Sequence, residues 1–308
     1  MKLKSQCYHN GRFYMESKGN IIMFDENIKI LPPASIEEHG FSSQSKHVNI
    51  PSHSKLWTDV DDFLENPQSI NAYALFMHIK QTLCHYVAFE NAQYPSLLAL
   101  WIMGTYVHQL FDAYPYLHIQ GQHGSGKTKI QTLLAKMCYN PIMAANMTMA
   151  ALFRIIESTS GTMLIDEAEF LSSENATDYR LMLNAGYKKG ASVYRMEMID
   201  KQFDVCEFDV YSPKAISSIA KFPPTLSSRC IHINTQAVDS DQARRTIDLD
   251  SRDFQILRNN LYRFAFMNYE PILDNYVNGI GVAGMHGRQR ELFAPLKALE
   301  ALVKKHKS

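Results

Sequence analysis

The chain has 308 residues, 46% apolar and 20% charged, which leaves room for a sizeable core and excludes disorder as its ground state. Its 31 basic residues balance its 31 acidic ones, so bulk charge does not argue for a nucleic-acid partner and any basic surface must be local. Cys7, Cys84, Cys138, Cys206 and Cys230 are widely spaced and form no CxxC pair, which speaks against a zinc site or a disulfide framework and fits a reducing cytoplasm. The N-terminal MKLKSQ lacks the apolar run of a secretory signal, and the most apolar stretch, residues 97–107, is too short to span a bilayer. No membrane association is expected.

Residues 1–55 read as a short β-rich segment and linker. RFYMES and NIIMFD flank a hairpin turn at Lys18-Gly19-Asn20, IKIL stops at Pro32-Pro33, and residues 34–54 are a polar loop. Residues 56–115 read as a helical linker. Ile70, Tyr73, Ala74, Met77, Ile79, Leu83 and Tyr86 recur at helical spacing, and a second helix begins near Pro95 and runs to about Phe111. Residues 116–238 then alternate. YLHI is a strand, KIQTLLAKMCY a helix, PIMAANM a strand, MAALFRIIEST a helix and TMLID a strand. DYRLMLNAGYKK reads as a helix ending at Gly190, and SVYRMEMI with QFDVCEFDVY as a strand pair around Asp200-Lys201. This alternation predicts an α/β class with a parallel sheet flanked by helices. Residues 239–308 are helical in pattern and read as a small lid.

The loop Gly121-Gln122-His123-Gly124-Ser125-Gly126-Lys127-Thr128 fits G-x-x-x-x-G-K-[ST] between a strand and a helix. Glycines at these positions let backbone N–H groups converge on phosphate, and the helix N-terminus adds positive potential there. Lys127 supplies a full charge to the β and γ phosphates of a nucleoside triphosphate, most simply ATP, and Thr128 offers a hydroxyl to Mg²⁺. The apolar strand ending in Asp166-Glu167 supplies the second half. Ligands of parallel sheets bind at that carboxyl edge. Asp166 is the expected Mg²⁺ partner, and Glu167 the general base that polarises an attacking water. Glu169 reads as a solvated helix position.

With both motifs in place, the chain resembles the AAA+ ATPases of phage, plasmid and integrative-element replication proteins, which are related distantly to superfamily 3 and MCM-type helicases. The resemblance runs from about Tyr73 to Ala301 through YPYLHIQGQHGSGKT, TMLIDEAEFL, NAGYKKGASVYR, YSPKAISSI, PPTLSSRCIHI and GRQRELFAPL. It implies a P-loop NTPase (AAA+) core with a C-terminal helical lid, assembled as a ring, usually hexameric. Arg229, in TLSSRC, is implied as an arginine finger acting on a neighbour's nucleotide. A sensor is implied near SPKAISSI, with Ser212 and Lys214 as candidates, and a lid arginine is implied at Arg288 or Arg290. Asn146 is a further candidate for coupling Glu167 to substrate.

The strand pair around Asp200-Lys201 occupies the place of a hairpin that projects into the channel of related helicases. Lys201 is then expected to contact a DNA backbone, single-stranded or forked, with Lys188, Lys189 and Arg195 adding to that surface. Tyr187 and Tyr194 are expected to pack in the core. The reading is an ATP-hydrolysing DNA helicase or translocase in mobile-element replication, with a primase or other replication proteins as partners. A loader or initiator without processive unwinding is the alternative. A protein remodeller is a further one, disfavoured because no aromatic-hydrophobic-Gly pore loop is evident.

Overall fold

The computed structural model describes residues 6–17, 20–25, 27–31, 38–39, 57–144, 148–172, 176–199 and 202–307. β1 (Gln6–His9), β2 (Arg12–Ser17), β3 (Asn20–Asp25) and β4 (Asn27–Leu31) form an antiparallel sheet in chain order. Side chains alternate across it as a strand requires. Phe13, Met15 and Ile22 enter the main core, whereas Cys7, Tyr14, Ile21 and Met23 form a small cluster on the other face. Phe13 stacks on Tyr269 at 5.6 Å, which anchors this sheet to the C-terminal helices. Ser17 pairs with Asn20; Lys18 and Gly19, assigned to the turn, lie outside the described residues.

Three helices follow: α1 (Val60–Glu65), α2 (Ala72–Tyr86) and α3 (Tyr94–Thr105). Asn71 caps α2 by accepting from Ala74 N at 2.8 Å, and Pro95 sits in the first turn of α3, where its missing N–H costs nothing. Every residue of α3 from Leu98 to Thr105 is buried, as befits a helix that is apolar all round. It stops six residues short of Phe111, because the chain turns through a short 3-10 segment, His108–Leu110, that is itself buried.

The main sheet has the order β11-β5-β10-β7-β6, all parallel. Its strands are β5 (Tyr116–Gln120), β6 (Ile142–Ala144), β7 (Met163–Ile165), β10 (Lys214–Ser218) and β11 (Cys230–Asn234). One face carries Leu117, Ile119, Leu164, Ala215 and Ile231 into a core shared with α4 (Lys127–Met137), α9 (Arg252–Val277) and α10 (Gly287–Lys305). The opposite face carries Tyr116, Met163, Ile165 and Ile216 against α5 (Met149–Thr159) and α6 (Thr177–Ala185). The expected architecture is thus observed: a P-loop-type parallel sheet between helices, an antiparallel N-terminal sheet and C-terminal helices. α9 and α10 pack on each other and onto α2 and α3, so these helices share one core.

β8 (Ser192–Ile199) and β9 (Gln202–Asp209) form a separate antiparallel ribbon. α6 ends at Ala185 rather than at Gly190. Its last carbonyls are taken by distant side chains, and Lys188 instead bridges to Ala113. α7 (Pro224–Ser227) and α8 (Asp241–Arg244) are single turns. No helix among the described residues is long and apolar enough to cross a membrane.

Candidate active site

β5 delivers the chain to the loop at its carboxyl end. Gly121 N donates to Ser218 O at 3.3 Å. A Cβ on Gly121 would lie 2.2 Å from Thr235 Oγ1 and 2.4 Å from both Ser125 Oγ and Thr235 O, so only glycine fits there. Gly126, at φ +91°, caps α4, which begins at Lys127. The free N–H groups of that first turn give the loop an electropositive floor. Gln122, His123, Gly124 and Thr128 are exposed, whereas Ser125 is buried with its Oγ 2.8 Å from Thr235 Oγ1. Lys127 is also buried, and its Nζ donates to Gly121 O at 2.7 Å and Gln122 O at 3.0 Å.

The acidic pair leaves β7 on the same edge. β10 lies between β5 and β7, and Gln131 of α4 donates to Ile165 O at 3.2 Å and Ala215 O at 3.1 Å, locking helix to strands. Asp166 Oδ1 accepts from Ser217 Oγ and, at 3.0 Å, from Glu167 N. Glu167 is exposed and has φ +52°, a conformation that non-glycine residues adopt at some cost and that recurs at functional sites. Glu169 is half-buried and accepts from Ile219 N at 2.8 Å, so it is not the solvated helix position expected. Residues 123–129 line one cleft of about 490 Å³ with Asp166, Glu167, Glu169 and Ile219. A cleft of this size and polarity, with a cationic loop facing carboxylates, can seat a polyphosphate. Thr128 and Asp166 add the oxygen donors that a hard divalent cation prefers. Among the described residues no cluster of three or more His, Cys, Asp or Glu side chains is placed to hold a metal ion.

The sensor expectation needs correction. Ser212 and Lys214 stand at the start of β10, whereas the loop stands at the end of β5, parallel to it. About 16 Å of strand separates the two ends. Both residues are buried, and Lys214 Nζ donates to Val210 O at 3.0 Å and to Ser212 O and Oγ at 3.1 Å. At its carboxyl end β10 brings Ser217 to Asp166 and Ser218 to Gly121. The sequence carries a signal for it, a serine pair at the carboxyl end of the apolar strand in SPKAISSI.

Arg229 lies just before β11, with its carbonyl accepting from Tyr116 N at 3.1 Å. It therefore sits at the amino edge of the sheet, remote from its own loop. Its Nε donates to Asn184 O at 3.1 Å, and its guanidinium lies 5.0 Å from the Tyr187 ring centroid. Arg288 lies over the same ring at 4.6 Å and pairs with Glu291 at 2.8 Å. A lid arginine of the same chain's loop would have to stand at the other edge. Arg290 is exposed, and a Cβ on Gly279 would meet its Nη2 at 3.1 Å.

Among the described residues assigned to DNA, Lys188, Lys189 and Arg195 stand in different surroundings. Lys201 and Asn146 lie outside the described residues. Lys188 pairs with Glu291 at 2.7 Å, and Lys189 donates to Gln109 O. Arg195 is on the inner side of the ribbon, 5.8 Å from the Phe153 ring of α5. Tyr187 is buried as expected, but Tyr194 is not. With α5 covering Phe208, the opposite face exposes Tyr194, Met196, Met198, Phe203 and Val205 by 59% to 68%.

No protein-family model matches the chain, and no curated protein matches it. Among solved structures it is similar to the SCCmec type IV Cch active helicase, at 11% identity and a TM-score of 0.49 over 99% of this chain and 75% of that one. It is also similar to the C-terminal region of NrS-1 in its A-form apo structure, at 14% identity and a TM-score of 0.39 over 94% of this chain and 70% of that one.

Proposed function

We propose that the chain is an ATPase of the AAA+ type that works as a ring-shaped DNA helicase or translocase. The observation that carries the reading is one cleft in which a glycine-rich loop, with Lys127 at a helix N-terminus, faces Asp166 and Glu167. On binding, Lys127 exchanges two neutral carbonyls for phosphate oxygens, a stronger charge-assisted interaction. Thr128 and Asp166 would hold Mg²⁺, which would supply charge neutralisation on the phosphates. Ser217 orients Asp166, and Glu167 polarises the attacking water. Arg229 stands at the opposite edge of the sheet from its own loop, which supports a role at a neighbour's site and a shared, sixfold assembly. Arg288, over the same tyrosine ring, accompanies it.

The ribbon β8–β9 is the element proposed to meet DNA, through Lys201 between its strands and through base stacking on Tyr194 and Phe203. Its apolar outer face also favours a second reading, a loader or initiator that docks a partner protein there. Turnover of ATP with and without single-stranded DNA at low salt tests the motor. A rate indifferent to DNA rejects it, and a strand-displacement assay separates motor from loader.

A further inference from the structure

The last carbonyls of a helix have no partner within it. At the end of α6 three side chains from other segments take that place. Tyr116 Oη donates to Leu183 O at 2.8 Å, Arg229 Nε to Asn184 O at 3.1 Å, and Lys214 Nζ to Gly186 O at 3.4 Å. Lys214 Nζ also holds Val210 O, Ser212 O and Ser212 Oγ, which belong to the chain leaving β9. The ammonium lies 5.0 Å from the Tyr116 ring centroid. Helix end and ribbon base are in direct contact, since a Cβ on Gly186 would lie 2.3 Å from Val210 O and 3.0 Å from Lys214 Nζ.

Lys214 is fully buried, and each of its hydrogen-bond acceptors is a carbonyl or a hydroxyl. Burial pulls its pKa down to about 7. A buried ammonium without a contacting carboxylate is an expensive way to fill space. What it does achieve is to bind two segments at one point. The ribbon exit at 210–212 meets Gly186 through Lys214, and Arg229 is fixed two residues away at Asn184.

We propose that Lys214 is a positioning residue that clamps the base of the ribbon to the end of α6, so that displacement of the ribbon is passed to Arg229. The roles of ribbon and arginine rest on the function proposed above. The clamp rests on the contacts alone.

Amide hydrogen exchange on the full chain tests it without DNA or nucleotide. In Lys214→Met, exchange is expected to rise about tenfold at both residues 210–214 and residues 224–230, and to stay unchanged in α4. Ser212→Ala removes one acceptor and moves both segments less in the same direction. A rise confined to 210–214, or one uniform across the chain, overturns the clamp. Where Lys214→Met does not fold, Ser212→Ala decides between the same outcomes. A second arm measures ATP turnover with an oligo-dT probe. Lys214→Met is expected to lose most of the DNA-stimulated increment while basal turnover stays within about threefold. A parallel fall of both overturns the clamp. A wild-type rate that ignores oligo-dT sinks the motor reading and leaves exchange to judge the clamp.

Discussion

Ser217 donates its hydroxyl hydrogen to Asp166 Oδ1, across the carboxyl ends of the adjacent strands β10 and β7. The bond joins the strand beside the glycine-rich loop to the strand that carries the acids. It also fixes which carboxylate oxygen of Asp166 is already engaged. A hydrogen bond to a charged group contributes about 1.5–3 kcal/mol. Ser217→Ala is therefore expected to lower ATP turnover by about 10- to 100-fold, with Mg²⁺ dependence shifted to higher concentration. Turnover unchanged across a magnesium titration would remove Ser217 from the site.

The loop makes two separable demands, shape and charge. Gly121→Ala drives a methyl against Thr235 and Ser125, and is expected to abolish nucleotide binding in a folded chain. Lys127→Ala removes the cation and leaves the shape. It is expected to cut turnover by about 10²- to 10³-fold or more, with the melting temperature nearly unchanged. Fluorescent-nucleotide binding and calorimetry distinguish the two.

His118 sits on β5, three residues before the loop. Its Nε2 lies 2.8 Å from Ser218 Oγ, its Nδ1 lies 3.1 Å from His232 Nδ1, and its ring stacks on Phe222 at 3.8 Å. Ser218 Oγ donates to Ala220 O, so it accepts from His118 Nε2, and in the neutral ring Nδ1 is then the acceptor. Burial first, and the neighbouring His232 second, hold its pKa down at about 4. Between pH 6.5 and 4 the unfolded chain binds the extra proton and the folded chain does not. Stability from this group is therefore full above pH 6.5 and is lost as pH falls toward 4, by at most about 3 kcal/mol. His118→Phe keeps the stacking and is expected to flatten that part of the pH–stability curve. An unchanged acid slope in denaturant titrations would show that His118 does not carry it.

The sequence made the strand, loop and helix of the candidate site legible because their causes are local. Glycines at fixed spacing, an apolar strand before them and helical periodicity after them act within a few residues. The acids of TMLID-E were legible for the same reason. Ser217 was missed because the edge of a parallel sheet depends on strand direction, and SPKAISSI offers polar residues at both ends. The end of α6 was misjudged because Tyr116, Arg229 and Lys214 set it from far along the chain. Tyr194 was expected inside because alternation says that one ribbon face is buried, but not which face α5 will cover. The pairing of Lys188 with Glu291, 103 residues away, left no trace in either local segment.

Arg229 at the amino edge and Lys127 at the carboxyl edge of one sheet cannot serve the same nucleotide. A mixture of two inactive variants tests this most directly. Lys127→Ala and Arg229→Ala are each expected to lose ATP turnover, the second by about 10³-fold or more. Mixed one to one and allowed to reassemble, they restore an intact loop facing an intact arginine at about a quarter of the interfaces of a closed ring. Turnover recovering to about that share of wild type is the result expected. A mixture no more active than its components, or an Arg229→Ala variant that hydrolyses ATP at the wild-type rate, would contradict a shared site.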